Sequence, residues 1–332
     1  MTLFLDSDDI KALATHELCE RAALAAVEAE SSGNSQLPPR IDVPSGHGFL
    51  RVMPAVLGPV MGVKVMTLTE GIGNRYLVLL YESATGELLG AFDADELTRL
   101  RTAAFTATAA KLMVTRPPRT LAVIGSGYEA DGHTKALTRT WDFEAICVFS
   151  PSPERRVDFA TRMTAELDVK VTPCDSSQAA LADADLVMLA TKSRTPVLDG
   201  AHLATGATVL SVGSTRPNLR ELDAATMRRT GTLVVDDLRQ VLAESGDILA
   251  ALADGDLTRD HLAPVASVSA DASLLRRSAE RDLLTYKSVG TALQDLALAR
   301  LLLDGAQRDG RGRQLGELAA LKPFANNAVR VS

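Results

Sequence analysis

Thr120-Leu-Ala-Val-Ile124 runs straight into Gly125-Ser-Gly-Tyr-Glu-Ala130, and a helical stretch through His133 and Leu137 follows. Strand, glycine turn and helix stand in the order that a dinucleotide pyrophosphate requires. Gly125 suits the tight turn. Gly127 keeps a Cβ away from a phosphate, and the free N–H groups of Ser126, Gly127, Tyr128 and Glu129 open the helix toward negative charge. A bare G-x-G-x-x-A string is weak evidence, and an ordinary glycine-rich turn is the competing reading. Placement strengthens the signal, because a second apolar strand, Ala145-Ile-Cys-Val-Phe149, follows at βαβ spacing.

Outward from this turn the rhythm continues. Strands are expected at 120–124, 145–149, 169–174, 185–190, 208–212 and 233–235, alternating with helical stretches, which gives a parallel sheet. Upstream, Ser7 is read as the N-cap of one long helix that ends at Gly33-Asn34. Short β-rich segments at 49–53, 60–66, 76–81 and 88–92 then read as an antiparallel meander, and a helix over 95–114 leads to Arg116-Pro-Pro118. The expected fold class is therefore α/β, a Rossmann-type parallel sheet beside an α+β unit. Residues 1–117 are expected to form the α+β domain and 118–304 the dinucleotide domain. Thr291 to Leu303 is a last amphipathic helix, and the tail 305–332 is expected to rejoin the first domain.

Composition narrows the partners. With 332 residues, 46% of them hydrophobic, the chain can bury a core in each of two domains. A net charge of −7, with acids and bases scattered, argues against nucleic acid or an anionic membrane and for a small-molecule partner. Cys19, Cys147 and Cys174 are far apart, with neither disulfide framework nor metal spacing. The start lacks a signal pattern and no apolar run approaches ~20 residues, so a cytoplasmic protein is expected.

Arg40, Met53-Pro54, Lys64, Arg101-Thr-Ala-Ala104, the Gly125–His133 turn, Val212-Gly213, Arg220-Glu-Leu-Asp223, Glu244-Ser-Gly-Asp247 and Tyr286-Lys-Ser-Val-Gly290 occur in this order. With them the chain resembles the ornithine cyclodeaminase/mu-crystallin family over most of its length. The resemblance implies a homodimer whose first domain, 1–117, dimerises and binds substrate, a Rossmann domain for NAD(H) or NADP(H), and a substrate cleft between the domains. It implies that Arg40, Lys64 and Arg101 grip the carboxylate of an amino or imino acid, a task that guanidinium forks suit. It also places Met53, Thr102 and Thr215 at the substrate, and Thr191, Val212, Gly213, Ser288 and Gly290 at the cofactor.

Residue by residue, alternatives stay open. Lys64 lies in Val60-Met-Gly-Val-Lys-Val-Met66, where a lysine either snorkels to solvent or faces a ligand. Arg40 and Arg101 taken alone read as solvated arginines. Two positions depart from the family pattern. Cyclodeaminases carry an aspartate where this chain has Thr215, and threonine is a poor general base. Glu129 stands where the family commonly has Gln, either weakening cofactor binding or pointing harmlessly outward. No acid stands at the end of the second strand, about 20 residues past the glycine turn, to bind a ribose 2′-OH. Ser150, Ser152, Arg155 and Arg156 lie there instead, which favours NADP(H) over NAD(H), a solvated helix face being the alternative.

The reaction expected is NAD(P)-dependent reduction of a small imino acid, of ketimine or pyrroline-2-carboxylate type, or the reverse oxidation of an amino acid. Lys64 is the candidate catalytic residue, as a proton relay to nitrogen. The alternatives are an ammonia-eliminating cyclodeaminase with bound NAD, and a non-catalytic, NADP-regulated ligand binder of mu-crystallin type.

Overall fold

A single Asp6 side chain starts the first helix, accepting from the Asp8 and Asp9 N–H groups while Asp9 reaches back to the Asp6 N–H. The computed structural model describes residues 2–316, 318, 321 and 322. Strand β1 (Thr2–Leu5) precedes α1 (Ser7–Leu13), and α2 (His16–Ser31) follows after a break. The one long helix expected from Ser7 is thus two. Ala14 leaves helical geometry at φ −80°, ψ 74°, and Thr15 caps anew by accepting from the Leu18 N–H. Apolar spacing alone could not reveal that second cap, and Asp6, not Ser7, is the first.

Strands β2 (Ser35–Gln36), β3 (Ile41–Ser45), β4 (Gly48–Leu57), β5 (Val60–Thr69), β6 (Gly73–Glu82) and β7 (Leu88–Asp93) follow. From β4 to β7 they form the expected antiparallel meander, β2 and β3 pair antiparallel with β4 outside the expected segments, and β1 adds in parallel beside β7. Alternation sorts its side chains. Met53, Ala55, Lys64, Val78 and Leu80 face inward and are buried. Ile41, Val43, Leu50, Val52, Val63, Val65, Leu77 and Leu79 share the other face, where Ile41 and Val43 remain 58% and 51% exposed. Helix α3 (Ala94–Met113), capped by Asp93, covers the inner side.

Beyond it β8 (Thr120–Ile124), α4 (Tyr128–Thr140), β9 (Ala145–Phe149), α5 (Pro153–Glu166), β10 (Val171–Pro173), α6 (Ser177–Leu181), β11 (Leu186–Leu189) and β12 (Thr208–Ser211) alternate. Then come α7 (Ala224–Arg229), β13 (Thr230–Val235), α8 (Leu238–Glu244), α9 (Gly246–Ala253), β14 (Leu262–Pro264), α10 (Val265–Ala270) and β15 (Leu283–Lys287). The second sheet is parallel throughout, in the order β10-β9-β8-β11-β12-β15-β13-β14. Its strands read as unbroken apolar runs because helices cover both faces, and all four residues of β11 are buried. Strands β14 and β15 lie beyond the six expected from sequence.

The final helix α11 (Ala292–Asp309) packs on α2, α3, β4, β5 and β6. The chain therefore returns to the first unit at Ala292, earlier than the expected position 305. Strand β16 (Arg313–Gly316) pairs antiparallel with β1. The tail from 323 onward lies outside the described residues.

Candidate active site

Four loops stand side by side at the carboxyl edge of the parallel sheet, after β8, β11, β12 and β15 in sheet order. That edge is where open α/β sheets take ligands. They pack without room for side chains. Gly125, at φ +122°, would carry a Cβ 2.5 Å from the Ala190 carbonyl oxygen, and a Cβ on Gly213 would lie 1.8 Å from that of Thr191. Gly127 differs, because a Cβ there meets nothing within 4 Å. It caps α4 with no side-chain hydrogen bond, so the helix opens its N–H groups onto free space. A groove of about 510 Å³ borders this turn, lined in part by Ser126, Gly127, Tyr128, Arg99 and Asp131. Vacant space above an uncapped helix N-terminus fits a dinucleotide pyrophosphate.

Beside the fourth loop stand two buried cations. Lys64 on β5 is 1% exposed, and its Nζ donates to Thr98 Oγ1 at 2.6 Å and to Asp295 Oδ1 at 3.0 Å. Arg101 on α3 is also buried and donates from Nε to the same Asp295 oxygen at 2.9 Å, and from one terminal nitrogen to Gln294 Oε1 at 2.5 Å. Its guanidinium touches the Gly290 backbone position. Burial drives the Lys64 ammonium from the ordinary 10.5 down to about 8, although Asp295 pulls the other way. The Tyr76 ring faces Lys64 Nζ at 5.0 Å. Snorkelling to solvent is excluded, and so is a solvated Arg101.

Other expected residues fall at varied distances from this pair. Met53 is the direct β4 partner of Lys64. Arg40 closes the opposite side, donating from Nε to Glu244 at 2.5 Å and from its terminal nitrogens to the Val289 carbonyl. Arg40 and Arg101 thus flank the same Val289-Gly290 turn. Thr102 spends its hydroxyl on the Thr98 carbonyl. Thr215 sits half-buried in the loop after β12 without a hydrogen-bond partner among the described residues. Glu129 is only partly turned to solvent. Its side chain is 38% exposed, yet Oε2 is sealed from solvent without a hydrogen bond, and burial raises its pKa while Arg101, Lys64, Arg99 and Lys192 oppose the rise.

At the second strand's end Ser126 Oγ donates to Ser150 Oγ, and Ser152 caps α5. Arg156 is buried, held by the Ser150 carbonyl and Asp175, whereas Arg155 is exposed. Tyr128 donates its hydroxyl to Glu96 and stacks on Arg99 at 4.9 Å. Thr191 and Gly213 are tied to Glu221, and Ser288 and Gly290 to Asp236. Sequence reasoning missed Asp295. Its signal is an aspartate among Leu293, Leu296, Ala297 and Leu298, a fully buried stretch of helix where a carboxylate needs a cation.

Residues 1–310 match the description "Ornithine cyclodeaminase/mu-crystallin family". The chain belongs to this family. It is 34% identical over 295 residues to the ketimine reductase mu-crystallin of Mus musculus, spanning 85% of this chain and 89% of the relative. Among solved structures, the Thermococcus litoralis Δ1-pyrroline-2-carboxylate reductase, a complex with NADH and L-proline, is 28% identical with a TM-score of 0.87. That alignment covers 94% of this chain and 100% of the other. A probable ornithine cyclodeaminase from Bordetella pertussis is 32% identical with a TM-score of 0.86, covering 93% and 99%. Family and Rossmann-type fold are thus those expected from the sequence. Among the described residues no helix is long and apolar enough to cross a membrane.

Proposed function

We propose that the chain reduces the C=N bond of a small imino acid with a nicotinamide dinucleotide, or runs the reverse oxidation of an amino acid. The observation that carries this reading is the buried Lys64–Asp295–Arg101 triad beside the dinucleotide edge. Two cations share one carboxylate oxygen, so Asp295 offsets only one of them, with Glu129 the other acid nearby. Each cation also keeps a donor: Lys64 a third N–H, Arg101 its second terminal nitrogen. Arg101 holds the substrate carboxylate, with Arg40 at the far side of the Val289-Gly290 turn. Lys64, with its pKa near neutrality, hands a proton to the imine nitrogen or takes it back.

The cofactor supplies the hydride when bound. Gly125, Ser126, Gly127 and the opening of α4 hold its pyrophosphate, and the loops at Thr191, Val212-Gly213 and Ser288–Gly290 floor its nicotinamide end. Ser150, Ser152 and the exposed Arg155 favour NADP(H), since no acid at the end of β9 claims a ribose 2′-OH. Two copies pair through the exposed apolar face of the meander, a patch that water disfavours. A panel of cyclic imines and amino acids, offered with each cofactor and followed at the nicotinamide absorbance, tests the reading. Turnover of an imino acid supports it. Ammonia release without net cofactor change, or tight binding without turnover across the panel, overturns it.

A further inference from the structure

Deep to the site lies a second buried lysine that the reaction does not use. Lys287, the last residue of β15, is 0% exposed and donates from Nζ to Ser211 Oγ at 2.9 Å. It pairs with Asp247 at 3.1 Å and lies 3.7 Å from Glu221. Both acids are also fully buried. Glu221 is the centre of the group. One oxygen accepts from the Thr191 N–H at 2.6 Å and its hydroxyl at 2.9 Å. The other accepts from Ser211 Oγ at 2.6 Å and from the Gly213 N–H at 2.9 Å. Asp247 in turn fixes Glu221 itself, accepting from the N–H groups of Glu221 and Leu222 at 2.7 and 2.9 Å.

These bonds converge on the two middle loops of the carboxyl edge. The Thr191 loop abuts the pyrophosphate turn at Gly125, and the Gly213 loop abuts Thr191. The Ser288–Gly290 loop then leads to Arg101. A dinucleotide anchored at Gly125–Gly127 and reaching toward Arg101 must therefore lay its nicotinamide end across the backbone that Glu221 holds. Its adenosine end points the other way, toward Ser150, where Glu221 makes no contact.

We propose that Glu221 is a positioning residue for the nicotinamide half of the cofactor, with Lys287 and Asp247 holding its carboxylate in place. A carboxylate is needed because it alone offers acceptors to the whole set of inward-pointing donors. An amide would turn two N–H groups against them. The proposal rests on the nicotinamide reading of the site.

The test compares two ligands on Glu221→Gln, each titrated by intrinsic fluorescence or calorimetry: NADPH, and ADP-ribose with its 2′-phosphorylated form, which lack nicotinamide. The expected result is an NADPH Kd about tenfold weaker with ADP-ribose-type affinity unchanged, because only one half of the site is loosened. Equal weakening of both ligands would mean a merely structural role and overturn the proposal, as would unchanged NADPH affinity. Should Glu221→Gln fail to fold, Thr191→Val removes a single partner hydroxyl and is expected to show the same selectivity, at roughly threefold. Its failure to discriminate the ligands would overturn the proposal equally. A wild-type chain that binds neither ligand would sink the dinucleotide reading itself, an outcome separate from either variant's behaviour.

Discussion

Replacing Lys64 with Met removes an ammonium and keeps most of the side chain's volume, so stability and catalysis should respond in opposite directions. Lys64 is fully buried, and its pKa falls from 10.5 to about 8. That depression makes the charged form a liability to the folded state on the order of 3 kcal/mol. The penalty is fully present below about pH 8, where both states are protonated. It fades between about pH 8 and 10.5, where the unfolded chain still holds the proton and the folded one has released it, so stability from this group rises with pH. Asp295 keeps Arg101 as its counterion in the variant. Lys64→Met should therefore melt at or above the wild-type temperature at pH 7, with the gap closing between pH 8 and 10.5. Catalysis should suffer, because a charge-assisted contact to the substrate is worth roughly 2 kcal/mol, or about 30-fold in kcat/KM. The assays are steady-state kinetics and a thermal melt across pH. Wild-type imine reduction should also decline as pH rises through about 8, while the reverse oxidation gains. Activity within threefold of wild type, or a melt more than about 5 °C lower, would refute the reasoning.

Asp295→Asn leaves two buried cations without their shared carboxylate and should lose about 3–5 kcal/mol of stability in a denaturant titration, far more than Lys64→Met. Gly127→Val should abolish NADPH binding in calorimetry while the melt stays near wild type, because its Cβ enters open space. Arg155→Ala should shrink a wild-type preference for NADPH over NADH in Kd ratio, and a tenfold wild-type preference for NADH, about 1.4 kcal/mol, would reject the assignment. Val65→Glu with Leu77→Glu, two neighbours on the exposed apolar face, should convert a dimer to monomers in light scattering. A dimer that survives both charges lies elsewhere.

The parallel sheet was legible because its strands are short apolar runs punctuated by glycine, a pattern that depends only on local sequence. Strand β15 escaped because Leu283–Lys287 ends in a lysine and follows a long charged stretch, and only its insertion between β12 and β13 explains its burial. The double helix at the start shows the limit of periodicity, since Ala14 and Thr15 interrupt the backbone without disturbing the apolar spacing. At the site, single residues carried their chemistry but not their partners. Lys64 and Arg101 were marked by type and by resemblance, yet Asp295 lies 231 positions from Lys64 and 194 from Arg101. No local window joins them. Thr102 shows the converse, as a candidate hydroxyl already satisfied by its own helix.

One continuous segment serves both halves of the molecule. Lys287 is bolted into the parallel sheet, and Asp295, eight residues on, into the cations of the meander. The two halves are therefore joined at the Ser288–Thr291 turn, and the Arg40–Glu244 pair closes on that same turn through the Val289 carbonyl. With Asp295 only eight positions after Lys287, the distance from the carboxyl edge of the parallel sheet to Arg101 is set by the covalent chain as well as by packing.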